Sequence, residues 1–115
     1  MVAMADRQES ASRAHPRTRL DDNFSTGLRF SLMASLGEQV ELDFATLADI
    51  LQANDSALSK AISHLNDAGY VAVTKGRIGS RPRTWVRSTA AGIDAFAGHL
   101  SALREIVEIG EQRSS

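Results

Sequence analysis

The chain of 115 residues has no cysteine, two prolines and only 5% aromatic residues. Without cysteine it cannot form a disulfide scaffold, a thiolate zinc site or a cysteine nucleophile. No apolar run approaches the roughly 18–20 residues that span a bilayer, and Asp6 and Glu9 lie where a secretion signal would need apolar residues. These absences predict a cytoplasmic protein of one domain that does not enter a membrane and is long enough to bury a core unaided.

Charge is segregated along the chain, although the formal net charge is only −1. Residues 21–55 carry seven acidic residues against the single Arg29, whereas residues 56–88 carry six basic residues against the single Asp67. Because binding to a charged partner depends on the local field, the near-neutral total hides one concentrated basic block.

Apolar periodicity divides the chain into three segments. Residues 1–20 lack it, which predicts a flexible arm or a weak helix. Residues 21–110 predict one α+β domain that is mainly helical, and residues 111–115 form a short tail.

The domain is predicted to begin with one helix, which a short strand follows. The first helix starts after Asp22 or Asn23, either of which can cap it, and it ends at Gly37. A strand follows at residues 40–42.

Two short helices joined by a tight turn are expected next. Asp43 caps the first of them, and Asn54 or Asp55 caps the second, which spans residues 55–68.

The most basic part of the sequence predicts a β-hairpin. Residues 70–75 and 84–88 are rich in β-branched and aromatic side chains, and they flank a segment at 76–83 with two glycines and a proline. This spacing predicts a long, glycine-hinged tip that carries positive charge. Since no acidic residue occurs between Asp67 and Asp94, we expect its cations to lack local partners.

The order of helix, short strand, helix, helix, hairpin and helix is that of a winged helix-turn-helix. Over about residues 24–107 the sequence resembles the winged-helix DNA-binding domain of small bacterial and archaeal transcriptional regulators, in the broad MarR/ArsR-like group. The most specific points of likeness are Ser59-Lys60, His64-Leu65, Ala68-Gly69-Tyr70-Val71 and Arg81-Pro82-Arg83-Thr84. One departure is Ser88, which stands where the family pattern has a leucine before the capping Thr89. The resemblance implies a homodimer that binds operator DNA and associates through its terminal helices.

The candidate DNA-binding residues lie on the helix at 55–68 and on the basic hairpin at 75–84. Burial of the apolar positions on that helix turns small and hydroxyl side chains outward, where they can enter a major groove. Arginine on the hairpin suits the phosphate backbone or a narrow minor groove, and we expect Trp85 to pack rather than to stack on bases. The predicted DNA-binding residues are Ser56, Ala57, Ser59, Lys60, Ser63, His64, Lys75, Arg77, Arg81, Arg83 and Arg87.

The last helix, at residues 89–110, has apolar positions beyond the length that a domain of this size needs. We expect its start to close the core and its later part to form an isologous dimer seam. The predicted interface residues are Leu100, Leu103, Ile106 and Val107. Such a dimer would hold two recognition helices about one DNA turn, roughly 34 Å, apart.

Two functions stay open on the residues alone. The first is a homodimeric, sequence-specific transcriptional regulator that binds double-stranded DNA, with a small-molecule effector open as a further partner. The second is a winged-helix module that docks another protein without binding DNA, which the acidic segment keeps open.

Catalysis and metal binding are not expected from the sequence. It holds no nucleophile–base set, no paired-carboxylate arrangement and no phosphate-binding loop. His15, His64 and His99 lack the spacing of metal ligands, so we expect neither a metal ion nor a cofactor.

Overall fold

The computed structural model describes residues 14–38 and 40–114, except for the side chain of Ser114. The chain divides into two compact units, one of residues Asp21–Ala97 and one that combines Met1–Leu20 with Gly98–Ser115. Most of the arm expected at residues 1–20 lies outside the described residues. No helix in the described part of the chain is long and apolar enough to cross a membrane.

The larger unit holds a winged helix, as the sequence predicted. Its elements are α1 (Gly27–Leu36), β1 (Glu41–Asp43), α2 (Phe44–Leu51), α3 (Asp55–Asp67), β2 (Val71–Ile78), β3 (Arg81–Ser88) and the start of α4 (Ala90–Ser114). The three strands form an antiparallel sheet in the order β1-β3-β2. The fold is therefore mainly helical, with one small sheet.

The first helix begins later than the sequence predicted. Asp21 caps a 3-10 turn at Asp22–Phe24, and the side chain of Thr26 then caps α1 by accepting the N–H of Arg29. The turn buries Phe24, which is 3% exposed, before the helix starts. Asp22 and Asn23 are used in this turn and do not cap α1.

The predicted end of α1 and the predicted caps of α2 and α3 are confirmed. Gly37 ends α1 with a φ of 57°, a value that favours glycine. Asp43 caps α2, and Asn54 rather than Asp55 caps α3 by accepting the N–H of Ala57 at 2.8 Å.

The hairpin has longer strands and a shorter turn than the sequence predicted. Its ladder runs from Val71 opposite Ser88 to Ile78 opposite Arg81, so the turn contains only Gly79 and the following serine. Gly79 has a φ of 63°, as the first central residue of a tight hairpin turn requires. The prediction of a long, hinged tip at residues 76–83 is wrong.

Pro82 fits into this ladder although proline usually marks a loop. The pair next to a two-residue turn is hydrogen-bonded, so the following pair, Arg77 opposite Pro82, needs no N–H directed at its partner. On the other side of β3, β1 pairs only with residues 85–87. Pro82 therefore leaves no ladder hydrogen bond unmade, and the strand continues through it.

The core of the larger unit lies between the helices and one face of the sheet. The ring of Phe24 stacks on Tyr70 at 5.3 Å and meets the edge of Phe96 at 5.2 Å. Ser88 is buried, and its hydroxyl has no hydrogen-bond partner among the described residues. The large side chains with the least exposure are Leu32, Leu36, Leu47, Leu58, Leu65, Val71 and Val86.

The start of α4 lies directly against the backbone that follows α3. Thr89 caps the helix by accepting the N–H of Gly92 at 3.0 Å, and its hydroxyl donates to the carbonyl of Gly69 at 2.6 Å. A Cβ on Gly92 would lie 2.1 Å from the carbonyl oxygen of Tyr70. Glycine is therefore the residue that this approach requires.

The smaller unit contains a 3-10 turn at Pro16–Arg19 and the later part of α4. His15 caps the turn by accepting the N–H of Arg17. Arg19 donates to Glu105 at 2.5 Å. Because both side chains are about half exposed, this ion pair contributes little to the stability of the fold. α4 continues to Ser114, into residues that the sequence assigned to a tail.

Replacing Gly92 with alanine is expected to lower the free energy of unfolding by about 1–3 kcal/mol, because the new methyl group would overlap the Tyr70 carbonyl. The matched control is Gly98→Ala in the same helix, where nothing lies within 4 Å of the added Cβ. This control should be neutral or stabilising by up to about 1 kcal/mol. Urea unfolding of both variants measures the difference, and equal effects would contradict the close approach.

Candidate nucleic-acid interface

α3 buries one stripe of apolar side chains and exposes the opposite face, as predicted. The buried residues are Leu58, Ala61, Ile62 and Leu65. The exposed ones include Ser56, Ser59, Lys60 and Ser63, while Ala57 is half-buried. The exposed face thus combines short side chains with a single cation, which leaves the helix backbone open to close approach.

A groove of about 740 Å³ separates α3 from the hairpin. Ser59 and Ser63 line its helical wall, and Lys75 and Thr84, which are cross-strand partners, line the other wall. Asp55 also lines the groove and reduces its positive potential at the start of the helix. The structure therefore brings three of the predicted DNA-binding residues to one surface.

His64 lies on the other flank of α3 and is held by the N-terminal 3-10 turn. Its Nε2 is 2.9 Å from Oδ1 of Asn23, whose amide nitrogen donates to Asp21 at 3.0 Å. Because Asn23 Oδ1 can only accept, this network assigns the proton to Nε2 of His64. The sequence did not reveal this contact, since the two residues lie 41 positions apart.

The same carboxylate of Asp21 accepts the hydroxyl of Tyr70 at 2.5 Å. This hydrogen bond, together with burial and the negative charge of Asp21, raises the pKa of Tyr70 above its ordinary value of 10.0. Tyr70 lies three residues beyond α3 and its N–H donates to the carbonyl of Leu65 in that helix, so the bond ties the end of α3 to the turn that holds His64.

The basic residues of the hairpin divide between its two faces. The register places Lys75 and Arg77 on the face that also carries the buried Val86 and meets α3. The opposite face carries Trp85, which is half-buried. The cations that alternate on this second face are Arg81, Arg83 and Arg87.

Arg87 lies at the base of the hairpin rather than near its turn. It stands opposite Glu41 in the ladder, six residues along β3 from Arg81, a separation of about 20 Å along an extended strand. The cations predicted to act together are therefore spread along the strand as well as across its faces.

Arg83 has an acidic partner, contrary to the expectation that the hairpin cations are unpaired. Its guanidinium donates to Asp43, whose side chain is 7% exposed against 37% for Arg83. The partner lies 40 positions earlier in the sequence. Residues this far apart in the sequence are brought together only by the fold.

Asp43 has a lowered pKa as a result of its hydrogen bonds. Bonding from the Thr46 side chain lowers the pKa of the carboxyl, burial opposes this effect, and the Arg83 guanidinium lowers the pKa again. Asp43 also accepts the N–H of Thr46 at 3.2 Å as the cap of α2. One charged carboxylate thus serves both a helix and the hairpin.

A second, smaller cleft of about 390 Å³ separates the start of α2 from β3. Phe44 and Ala45 line it on the helix side, and Arg81 and Pro82 lie among its lining residues on β3. Phe44 also lines the groove beside α3, so the first turn of α2 lies between both basic surfaces.

In the smaller unit, two of the predicted interface residues share a shallow groove on α4. Leu103 and Val107 line it with charged side chains at its rim, and Val107 is 57% exposed. Leu100 and Ile106 are half-buried.

His99 is buried in the smaller unit. Within residues 14–38 and 40–114, no group of three or more His, Asp or Glu side chains is placed to hold a metal ion.

Comparison with known families identifies the domain type. The sequence model of the winged helix DNA-binding domain matches residues 28–107. None of the curated proteins compared with the chain matches it. Solved structures with the same fold are transcriptional regulators of the MarR type.

Three of these structures illustrate the likeness. A transcriptional regulator homologue from Pyrococcus horikoshii OT3 is 22% identical, with a TM-score of 0.69 over 90% of this chain and 95% of that chain. PcaV from Streptomyces coelicolor, solved with its natural ligand, is 17% identical, with a TM-score of 0.66 over 92% and 74%. MepR from S. aureus, solved with DNA, is 16% identical, with a TM-score of 0.64 over 96% and 91%. At these identities the likeness shows a shared fold.

Replacing Tyr70 with phenylalanine removes the donor to Asp21 and is expected to lower the free energy of unfolding by about 1 kcal/mol at pH 7. Because the pKa of Tyr70 is raised in the folded protein, this difference is fully present below pH 10.0 and disappears as the pH rises through the folded pKa. Urea unfolding at several pH values measures it.

Tyr70 is the single tyrosine of the chain, so tyrosinate absorbance follows its titration alone. In the Asp21→Asn variant the titration should shift towards the ordinary pKa. An unchanged titration curve in that variant would contradict the role of Asp21.

Proposed function

The chain belongs to the family of winged helix DNA-binding domains, and on this basis we propose that it is a homodimeric, sequence-specific transcriptional regulator. The observation that carries the proposal is the exposed face of α3, whose small hydroxyl side chains share a groove with Lys75 of the hairpin. A helix with short side chains can approach the edges of base pairs closely, and an adjacent cation can neutralise phosphate.

In this proposal α3 occupies the major groove and the hairpin contacts the backbone or the minor groove. Hydroxyl groups hydrogen-bond to bases or phosphates, and Lys60 suits the acceptors of guanine. Lys75, Arg77 and Arg81 neutralise phosphates. The residues proposed to contact bases are Ser56, Ser59, Lys60, Ser63 and His64, with Ala57 allowing close approach.

The structural likeness to MepR, which was solved with DNA, supports DNA as the partner. The structure of PcaV contains its natural ligand, which supports a small molecule as a further partner of this chain. A regulator of this kind would act in the cytoplasm, where bacterial and archaeal DNA lies. The activity that we propose is DNA binding and not catalysis.

The later part of α4 is proposed to form the dimer seam. Leu103 and the exposed Val107 present an apolar strip with charged side chains beside it. A two-fold interface buries such a strip against its own copy, so that each apolar side chain gains a partner. Two recognition helices, roughly 34 Å apart, would then meet successive turns of one duplex.

The salt dependence of binding tests the proposal directly. Genomic fragments that the purified protein selects serve as the probe, and log affinity should fall with log salt with a slope near −6 if about seven phosphates are neutralised per dimer. Arg81→Gln should reduce the magnitude of this slope by about 2 per dimer. The control Arg113→Gln has the same charge change on α4 and should leave the slope unchanged.

Ser59→Ala should instead keep the slope and weaken discrimination between the selected sequence and unrelated DNA, since a base contact carries sequence information. A flat salt response of the wild-type protein would count against the regulator. Absence of binding to any duplex would favour the protein-docking module.

Val107→Glu is expected to convert the dimer to a monomer, because it places a charge at the centre of the apolar strip. The affinity for a two-half-site operator should then fall by about a hundredfold, since the second recognition helix no longer binds within the same complex. Sedimentation equilibrium and gel shifts measure the two effects.

Val40→Glu is the control, since it introduces the same charge at another exposed valine, 41% exposed, in the loop before β1. A dimer that survives Val107→Glu would place the seam elsewhere.

A further inference from the structure

The outer part of the hairpin has little support from the sheet. β1 pairs only with residues 85–87 of β3, so beyond Trp85 the hairpin consists of two strands alone. An isolated two-stranded hairpin is only marginally stable in water. Something other than strand pairing must hold residues 75–84 in a fixed position.

The Asp43–Arg83 pair supplies this connection. Among the described residues it is the single side-chain hydrogen bond or ion pair that joins residues 75–84 to the rest of the chain. On the helix side, the carboxylate is fixed because it caps α2 through the N–H of Thr46. The pair thus fastens the hairpin to the helix that precedes α3.

Arg83 cannot leave this pair without cost. Asp43 is 5% exposed, and without the guanidinium this nearly buried carboxylate would keep its hydrogen bonds from Thr46 but lose its only opposite charge among the described residues. A guanidinium committed to such a partner is poorly placed to neutralise a phosphate. Its neighbour on the same face, Arg81, is exposed and has no such partner among the described residues.

We infer that Asp43 and Arg83 are positioning residues for DNA binding, which hold the hairpin at a fixed distance from α3, and that Arg83 is not itself a phosphate ligand. This inference rests on the proposed function. A fixed distance decides which base pairs and which phosphates can be contacted at the same time, so the pair acts on affinity through geometry.

The sign of one substitution separates the two roles of Arg83. Asp43→Asn keeps a good helix cap and nearly the same shape but removes the negative charge. If Arg83 bound phosphate, losing its competitor would free it and tighten DNA binding. If the pair positions the hairpin, the same substitution weakens binding.

The experiment measures affinity for a fragment that the wild-type protein has selected, over a range of salt concentrations. Asp43→Asn and Arg83→Gln should each weaken binding by about tenfold, and the double variant should be no weaker than either, because both break one connection. The salt slope should stay near the wild-type value in Arg83→Gln, unlike in Arg81→Gln.

Asp49→Asn is the matched control, since it makes the same change at an exposed position of α2, the helix that Asp43 caps. It should bind as tightly as the wild-type protein or slightly more tightly.

Hydrogen exchange of the protein without DNA gives a second measurement. A loss of global stability would speed exchange throughout the domain, whereas loss of the Asp43–Arg83 pair should speed it only in the hairpin. The backbone amides of residues 76–81 should exchange faster in Asp43→Asn and Arg83→Gln, while those of α3 keep their protection. Tighter binding by Asp43→Asn, or a salt slope reduced by about 2 in Arg83→Gln, would overturn the inference and leave the regulator intact. A wild-type protein that binds no DNA would overturn both.

Discussion

Burial of one narrow stripe of α3 determines what the rest of the molecule can present to a partner. Leu58 and Leu65 are fully buried, and the intervening turns add Ala61 and Ile62. Successive residues of a helix are rotated by 100°, so turning α3 by a single position would bury Ser59 and expose a leucine. The apolar contacts therefore fix the rotation of the helix about its axis, and with it the row of hydroxyl groups that faces solvent.

The sheet imposes a second constraint, because it is wider at its base than at its turn. Three strands meet where β1 pairs with residues 85–87, and only two continue towards Gly79. Positive charge is concentrated on the part with the least backbone support. An ion pair between a nearly buried carboxylate and a half-exposed arginine is a strong connection at such a point, because the carboxylate is held by a helix N-terminus as well.

A third set of contacts joins the C-terminal end of α3 to segments distant in sequence. The turn at Asp22–Phe24 reaches His64 through Asn23 and Tyr70 through Asp21. At the same end, Thr89 donates to Gly69, and Gly92 lies against the backbone of Tyr70. The candidate interface therefore sits on a helix whose position is set by polar contacts at its C-terminal end and by apolar contacts along its length.

The basic residues of the hairpin lie on both of its faces, and this limits how one DNA duplex can contact them. Lys75 shares the groove with α3, whereas Arg81 lies on the opposite face, beside the start of α2. A duplex that touches both must pass around the hairpin rather than lie flat on one surface. The hairpin is thus suited to a groove or a curved backbone path, which its narrow two-residue turn allows.

The sequence by itself determined the order of elements, the caps at Asp43 and Thr89, the end of α1 at Gly37 and the buried stripe of α3. These features depend on residues within one or two turns of each other, where helical and strand periodicity act. Tertiary structure alone decided the partner of Arg83, the contact that holds His64 and the need for glycine at position 92. Each of these features joins residues that lie from 22 to 41 positions apart in the sequence. The short hairpin turn belongs to this second group as well, since glycine and proline signal a loop locally and only strand register shows that a ladder can accommodate them.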